Sequence, residues 1–313
     1  VVLNVSEDHL GLKGVDTLEE LAAIKAVVVS SVAKKGTTVL NFDDRLTRRM
    51  ARKARSKVIW FSLTAKPDDP AMAAHLEAGG LAVLRAAIGG RDQIMLYRGR
   101  DGLPIIATAN IPATAGGAAS FNIANALAAV AAGTALGVNV DIIARALGAF
   151  ASSFADNPGR FNIIDDHPFR VILDYAHNPA SLLALGESLP QLKLASGRII
   201  GMVSIPGDRR DSDILEIGRI AAGAFDHIIF REGPDGRGRP RGDVLRLLET
   251  GARNASSGSA SFESVLEERD AVDHCLSIAR PGDLLVLFPT RVDDVYRQVR
   301  DYKPASADHH VSA

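Results

Sequence analysis

Only one cysteine, Cys275, occurs in the 313 residues. That excludes an intramolecular disulfide and any multi-cysteine metal site, and it fits a reducing cytoplasm. No apolar run approaches the ~18 residues of a membrane-spanning helix. Charge of one sign is also lacking: 36 Lys plus Arg face 37 Asp plus Glu, a net charge of -1. A general electrostatic grip on nucleic acid or on an anionic membrane is therefore not expected, and a small or weakly charged partner is. What remains is ordinary for a globular protein, with 47% hydrophobic and 23% charged residues, 28 Gly and 14 Pro, which rules out disorder and collagen-like structure. At roughly 100 to 200 residues per domain the length implies about two domains.

The chain opens on Val1-Val2-Leu3-Asn4-Val5, a β-type run without an initiating Met. It is expected to lie within a strand of a sheet begun upstream, in a piece of a longer protein. Leu18, Leu21, Val28 and Val32 share a stripe at helical spacing, which predicts a helix over 17–33. A strand over 37–42, a basic helix over 45–54 carrying Arg45, Arg48, Arg49, Arg52 and Lys53, and a strand over 57–63 then give α/β alternation. Short runs broken by Gly and Asp over 79–112 predict antiparallel strands. Two helices follow, an Ala-rich one over 121–136 and a second over 140–150. The break Asp156-Asn157-Pro158-Gly159 marks the expected boundary between the domains.

Beyond it, 171–175, 198–205, 227–231 and 283–288 are apolar runs too continuous to be half-exposed, each followed by polar residues and a helix-like stretch. Strands buried on both faces and joined by helices predict a parallel, doubly wound sheet, whose ligands gather past the carboxyl ends of its strands. Those ends carry Asp174 to Pro179, Pro206 to Ser212, Glu232 to Arg239 and Pro289 to Asp293, all polar or charged.

Lys25 lies between Leu21 and Val28 on the apolar stripe. Two readings stay open: a snorkelling lysine, or a desolvated amine able to form a carbamate and offer anionic oxygen to magnesium. Asp8 and His9, in the preceding turn, are either a cap pair or companions of that ion. Asn178-Pro179 reads equally as a helix N-cap with its first turn or as part of a ligand-contacting loop. Asn122 and Asn125 share a helix face, either as partly exposed polar positions or as a hydrogen-bonding edge for a base. Arg209 and Arg210, at a strand's carboxyl end, suit a carboxylate or phosphate. The arginines of 236–242 read equally as a solvated flexible loop or as substrate contacts, and the basic helix as a solvated face or a contact to a polymer.

Asn4 to Gly11, the Lys25 helix, Asn41 to Asp44, Phe121 to Leu127, Pro158-Gly159-Arg160 and Asp174 to Pro179 keep the order of motifs in Mur ligases and folylpolyglutamate synthetases. Nearly the whole chain resembles that superfamily. Asp8 to Leu12, Gly207 to Asp213 and Arg237 to Arg239 most resemble the Mur-ligase-like part of cyanophycin synthetases. The resemblance implies an α/β chain: an incomplete Mur-ligase central ATP-binding domain over 1–158, a Rossmann-like C-terminal domain over 159–303, and a tail over 304–313. It implies ATP and Mg2+, with His9 and Lys25 at the metal, Asn122 and Asn125 beside adenine, Arg160 near the phosphates and Asp174 at the ribose. Lys25, His177, Arg209 and Arg210 would serve the reaction centre. The implied reaction joins arginine to a polyaspartate (cyanophycin) primer through an acyl phosphate in a cytoplasmic homo-oligomer, with no nucleic acid or membrane involved.

The pattern departs from the family at one place. No Gly-x-x-x-x-Gly-Lys-Ser/Thr occurs, so the triphosphate cradle is expected outside this piece, and the piece by itself is expected to be inactive. A parent that has lost activity is the other explanation. A muropeptide or folylpolyglutamate ligase, and a non-catalytic polymer-binding or oligomerisation module, are the competing functions.

Overall fold

The computed structural model describes residues 1–8, 10–11, 14–194, 196–255 and 260–303. The predicted tail over 304–313 lies outside them. The chain divides into two compact units, Val1–Ala151 and Ser152–Ala313.

In the first unit the order is α1 (Leu18–Lys25), α2 (Val27–Ser30), β1 (Thr37–Asn41), α3 (Arg45–Met50), β2 (Lys57–Ser62), α4 (Pro70–Glu77), β3 (Leu81–Ile88), β4 (Arg91–Arg98), β5 (Asp101–Ala107), α5 (Ser120–Ala135) and α6 (Val140–Ala149). The sheet runs β1-β2-β3-β4-β5. Its first three strands are parallel and its last two antiparallel. Alternation along the strands explains the layering. Val39, Ile59, Phe61 and Val83 pack on Ile123, Leu127 and Val130 of α5. Their neighbours Leu40, Trp60 and Leu84 face Leu46, Met50, Met72 and Leu76 on the other side.

Two expectations are corrected here. Residues 1–5 form no strand and give only a bridge, Val2 to Leu40. The helix predicted over 17–33 is two short helices separated at Ala26. Of its stripe, Leu18, Leu21 and Val32 are half-buried and Val28 is exposed, whereas Ala22, Ala26 and Val29 are buried. Small alanines set the packed face, which a search for large apolar residues misplaces.

The second unit contains β6 (Asn162–Ile164), β7 (Arg170–Leu173), α7 (Pro179–Leu192), β8 (Ile199–Val203), α8 (Asp211–Ala224), β9 (His227–Phe230), α9 (Asp243–Arg253), β10 (Ser261–Ser264), α10 (Glu268–Ile278), β11 (Leu284–Leu287) and α11 (Val292–Asp301). The sheet order is β10-β9-β8-β11-β7-β6. It is parallel throughout except for β6 at its edge. Val171, Ile200, Ile229 and Leu285 pack on Val272, Leu276, Val295 and Val299 of α10 and α11. The equally buried Ile172, Ile228 and Val286 take the opposite face, where α7, α8 and α9 pack in series. This is the doubly wound arrangement predicted from the four apolar runs.

Helices α8 and α9 approach closely at two glycines. A Cβ on Gly218 would stand 2.1 Å from the Leu248 carbonyl oxygen, and one on Gly251 would stand 2.0 Å from that of Leu215.

Candidate active site

The four loops that follow β7, β8, β9 and β11 meet at the carboxyl edge of the second unit's sheet. They enclose a pocket of ≈ 160 Å³ whose walls include Tyr175, His177, Pro206, Arg231, Asp235 and Thr290. All four segments singled out by the strand-end rule line the pocket, the second of them through Pro206.

The first loop is tied to the start of the unit. The carboxylate of Asp174 accepts the backbone N–H of Phe161 at 2.9 Å and that of Ala176 at 2.8 Å. Burial pushes its pKa up to about 6, against the opposing pull of those two N–H groups, Arg160 and His177. The Arg160 guanidinium lies 5.1 Å from the centre of the Tyr175 ring. His177 shares a hydrogen bond between Nδ1 and the Tyr175 carbonyl oxygen at 2.8 Å. Three predicted residues, Arg160, Asp174 and His177, are thus brought together around Tyr175. Asn178 caps α7 through a reciprocal pair with Ser181, and Pro179 takes the first turn, as the sequence predicts.

The second and third loops are stapled to each other. Arg239 donates to the carbonyl oxygens of Gly207 (2.5 Å) and Arg209 (2.7 Å) and to the Asp211 carboxylate (2.6 Å). Arg237 reaches Asp208 at 3.1 Å, while Arg241 holds the Gly233 carbonyl and pairs with Glu267. The flexible-loop reading of these arginines is corrected: each is committed to the frame of the rim. Arg209 is buried beside Asp208 at 2.9 Å, and Arg210 precedes α8 and grips Asp213 at 2.7 Å. Arg210 occupies the N-cap position of α8, where its side chain makes no capping hydrogen bond.

Sequence reading missed Arg231. It follows β9 directly, is 1% exposed and forms an ion pair with Glu268 at 2.8 Å. It also donates to the carbonyl oxygens of Glu232 and Phe288. Its buried Nε has no hydrogen-bond partner among the described residues. Burial lowers its pKa, and Glu268 and Tyr175 oppose that. The neighbouring Glu232 is used structurally, accepting the N–H groups of Gly242, Val244 and Leu245 at the start of α9.

In the first unit, Asn122 donates to the Ala113 carbonyl oxygen at 2.6 Å and Asn125 donates to Asn122 Oδ1 at 3.2 Å, so the pair shares a helix face as expected. Asn122 thereby fastens the preceding loop to α5, while Asn125 stays exposed. Lys25 is exposed. This removes the desolvation that made its position unusual, so its expected role rests on resemblance alone. His9 lies outside the described residues. Among the described residues no group of three His, Cys, Asp or Glu side chains could hold a metal ion. The magnesium implied by the resemblance therefore has no complete ligand set among those residues.

Two family models match the chain: the Mur ligase middle domain over residues 1–133 and the Mur ligase glutamate ligase domain over residues 159–291. Cyanophycin synthetase of Geminocystis herdmanii is 39% identical over 98% of this chain and 34% of its own length. UDP-N-acetylmuramyl-tripeptide synthetase of Deinococcus radiodurans is 32% identical over 59% of this chain and 36% of its own. The crystal structure of MurF from Acinetobacter baumannii superposes with a TM-score of 0.61 at 19% identity, covering 96% of this chain and 59% of that one. The chain spans about a third of the length of the curated cyanophycin synthetases it matches.

Proposed function

The chain belongs to the Mur ligase family, and on that premise we propose that it is part of an ATP-dependent amide ligase that joins arginine to the side-chain carboxylates of a polyaspartate primer. The observation that carries this reading is the 39% identity to a cyanophycin synthetase over 98% of the chain. ATP, when bound, supplies the phosphoryl group that converts the acceptor carboxylate to an acyl phosphate. The amine of the incoming amino acid, having lost its proton, then attacks the carbonyl carbon. The carbon–nitrogen bond forms as the bond to phosphate oxygen breaks, and inorganic phosphate leaves.

This chain's residues would bind and orient. Arg160, held against Tyr175, suits phosphate oxygens. Asp174 keeps lone pairs beyond the two backbone N–H groups it accepts and would take a ribose hydroxyl. Asn122 and Asn125 offer amide groups suited to a base edge. In the pocket, the unmatched Nε–H of Arg231 would receive the α-carboxylate of the amino acid, and Asp235 would face its guanidinium. Arg209 and Arg210 would contribute positive field near the phosphorylated carboxylate. Lys25 and His9 keep the metal role implied by resemblance, and His177 a place at the reaction centre. The triphosphate cradle would come from outside these residues, so the intact protein is the active species, here read as cytoplasmic and homo-oligomeric.

Phosphate release by the intact protein, given ATP, polyaspartate and one amino acid at a time, tests the proposal. Release that requires arginine supports it. Turnover only with a muropeptide or folate acceptor, or none with any acceptor, overturns it.

A further inference from the structure

Strands β1, β2 and β3 are parallel, so their amino ends share one edge of the first sheet, opposite the end where such sheets bind ligands. Six cations collect there. Thr37 pairs with Lys57 across β1 and β2, which brings Lys34 and Lys35, just before one strand, beside Arg52, Lys53 and Arg55, just before the other. Contacts between α2 and residues 51–53 close the cluster from the side. All six side chains are exposed, and none forms a side-chain hydrogen bond or ion pair among the described residues.

The next strands do not cancel this charge. Arg98 and Arg100 reach the same edge, but Asp101 stands opposite Arg98 and Glu77 pairs with Arg100 at 3.5 Å. Within α3, Arg45 is matched by Glu19 and Arg48 lies over Phe42, so these two are occupied locally. The six others remain unopposed in a chain whose net charge is only -1. Such segregation creates a strong local positive potential, which attracts a polyanion and is not required by the fold.

We infer that this edge is a docking surface for an acidic polypeptide. Four of the six cations are lysines, flexible point charges that can follow carboxylates on an extended chain, whose same-side groups recur about every 7 Å. The cluster presents no exposed aromatic side chain on which bases could stack, so an acidic peptide is favoured over a single-stranded nucleic acid. Identifying that polypeptide with the acceptor polymer rests on the ligase reading; the electrostatic attraction does not. Held at the amino edge, a long acceptor would stay tethered while the carboxyl edge remains open.

Fluorescence anisotropy of labelled poly-L-aspartate of about 20 residues, with the intact protein and no ATP, tests the docking surface. The triple substitution Arg52→Glu, Arg55→Glu, Lys57→Glu is expected to weaken binding at least tenfold and to flatten its salt dependence, with an unchanged circular dichroism spectrum. Lys34→Gln with Lys35→Gln, a gentler change, is expected to weaken binding about threefold. Equal affinity of wild type and both variants overturns the proposal. So does tighter binding of a single-stranded oligonucleotide of equal charge that is lost on the same substitutions. Intact polyaspartate binding without amide formation would instead sink the ligase reading and leave the docking surface standing.

Discussion

Arg231 and Glu268 meet at 2.8 Å with side chains 1% and 11% exposed, the arginine leaving β9 and the glutamate opening α10. Glu268 also accepts the backbone N–H groups of Thr290 and Arg291, so one carboxylate ties the third loop of the pocket to the fourth. Breaking a buried pair strands the surviving charge, which typically costs about 3–5 kcal/mol. Arg231→Met and Glu268→Leu are each expected to lower stability by that order. The double variant should lose less than the sum, and urea unfolding of the three proteins measures the difference.

The carboxyl of Asp174 titrates near pH 6 in the folded chain, above its unfolded value, so the folded form binds the proton more tightly. Its contribution to stability is complete at acid pH below the unfolded value and is lost as pH rises through about 6. The elevation corresponds to at most about 3 kcal/mol, reduced by the solvent that reaches a half-buried group. Asp174→Asn should remove this component from the stability profile between pH 4 and 7. Denaturant midpoints across that range test it; parallel profiles would contradict it.

Gly218 and Gly251 let α8 and α9 pack backbone to backbone, because a methyl at either would meet a carbonyl oxygen. Gly218→Ala and Gly251→Ala are each expected to cost about 1–3 kcal/mol. Gly223→Ala on α8, with nothing within 4 Å of the added carbon, is the matched control and should leave the melting temperature unchanged or slightly raised.

Cys275 is fully buried, and burial pushes its thiol pKa up. It should resist alkylation by iodoacetamide at pH 8 in the native protein and react once urea unfolds it. Mass spectrometry of the two samples distinguishes the cases.

The second sheet was legible because β7, β8, β9 and β11 are unbroken apolar runs, and a strand buried on both faces has no other pattern. Edge strand β10 was not, since Ser261-Phe262-Glu263-Ser264 buries little and carries no such signal. The pocket followed from the strand-end rule without identifying its deepest charge. Arg231 directly follows Phe230, and a cation there reads as the exposed end of a strand; its burial depends on Glu268, 37 residues away in sequence. The packed face of α1 was misplaced for a different reason. Large side chains at 18, 21, 28 and 32 suggested the packed face, but Ala22, Ala26 and Val29 form its buried centre, with Leu18 and Leu21 only at its margin. The arginines of 237–241 were ambiguous because some of their partners are carboxylates distant in sequence and three are main-chain carbonyls, which no residue pattern reveals.

That last circumstance bears on how the rim can change over generations. Arg239 clasps the carbonyls of Gly207 and Arg209, groups that every amino acid possesses. Side chains at the opening can therefore be exchanged, and with them the preference among ligands, without loosening the clasp that keeps the opening in shape.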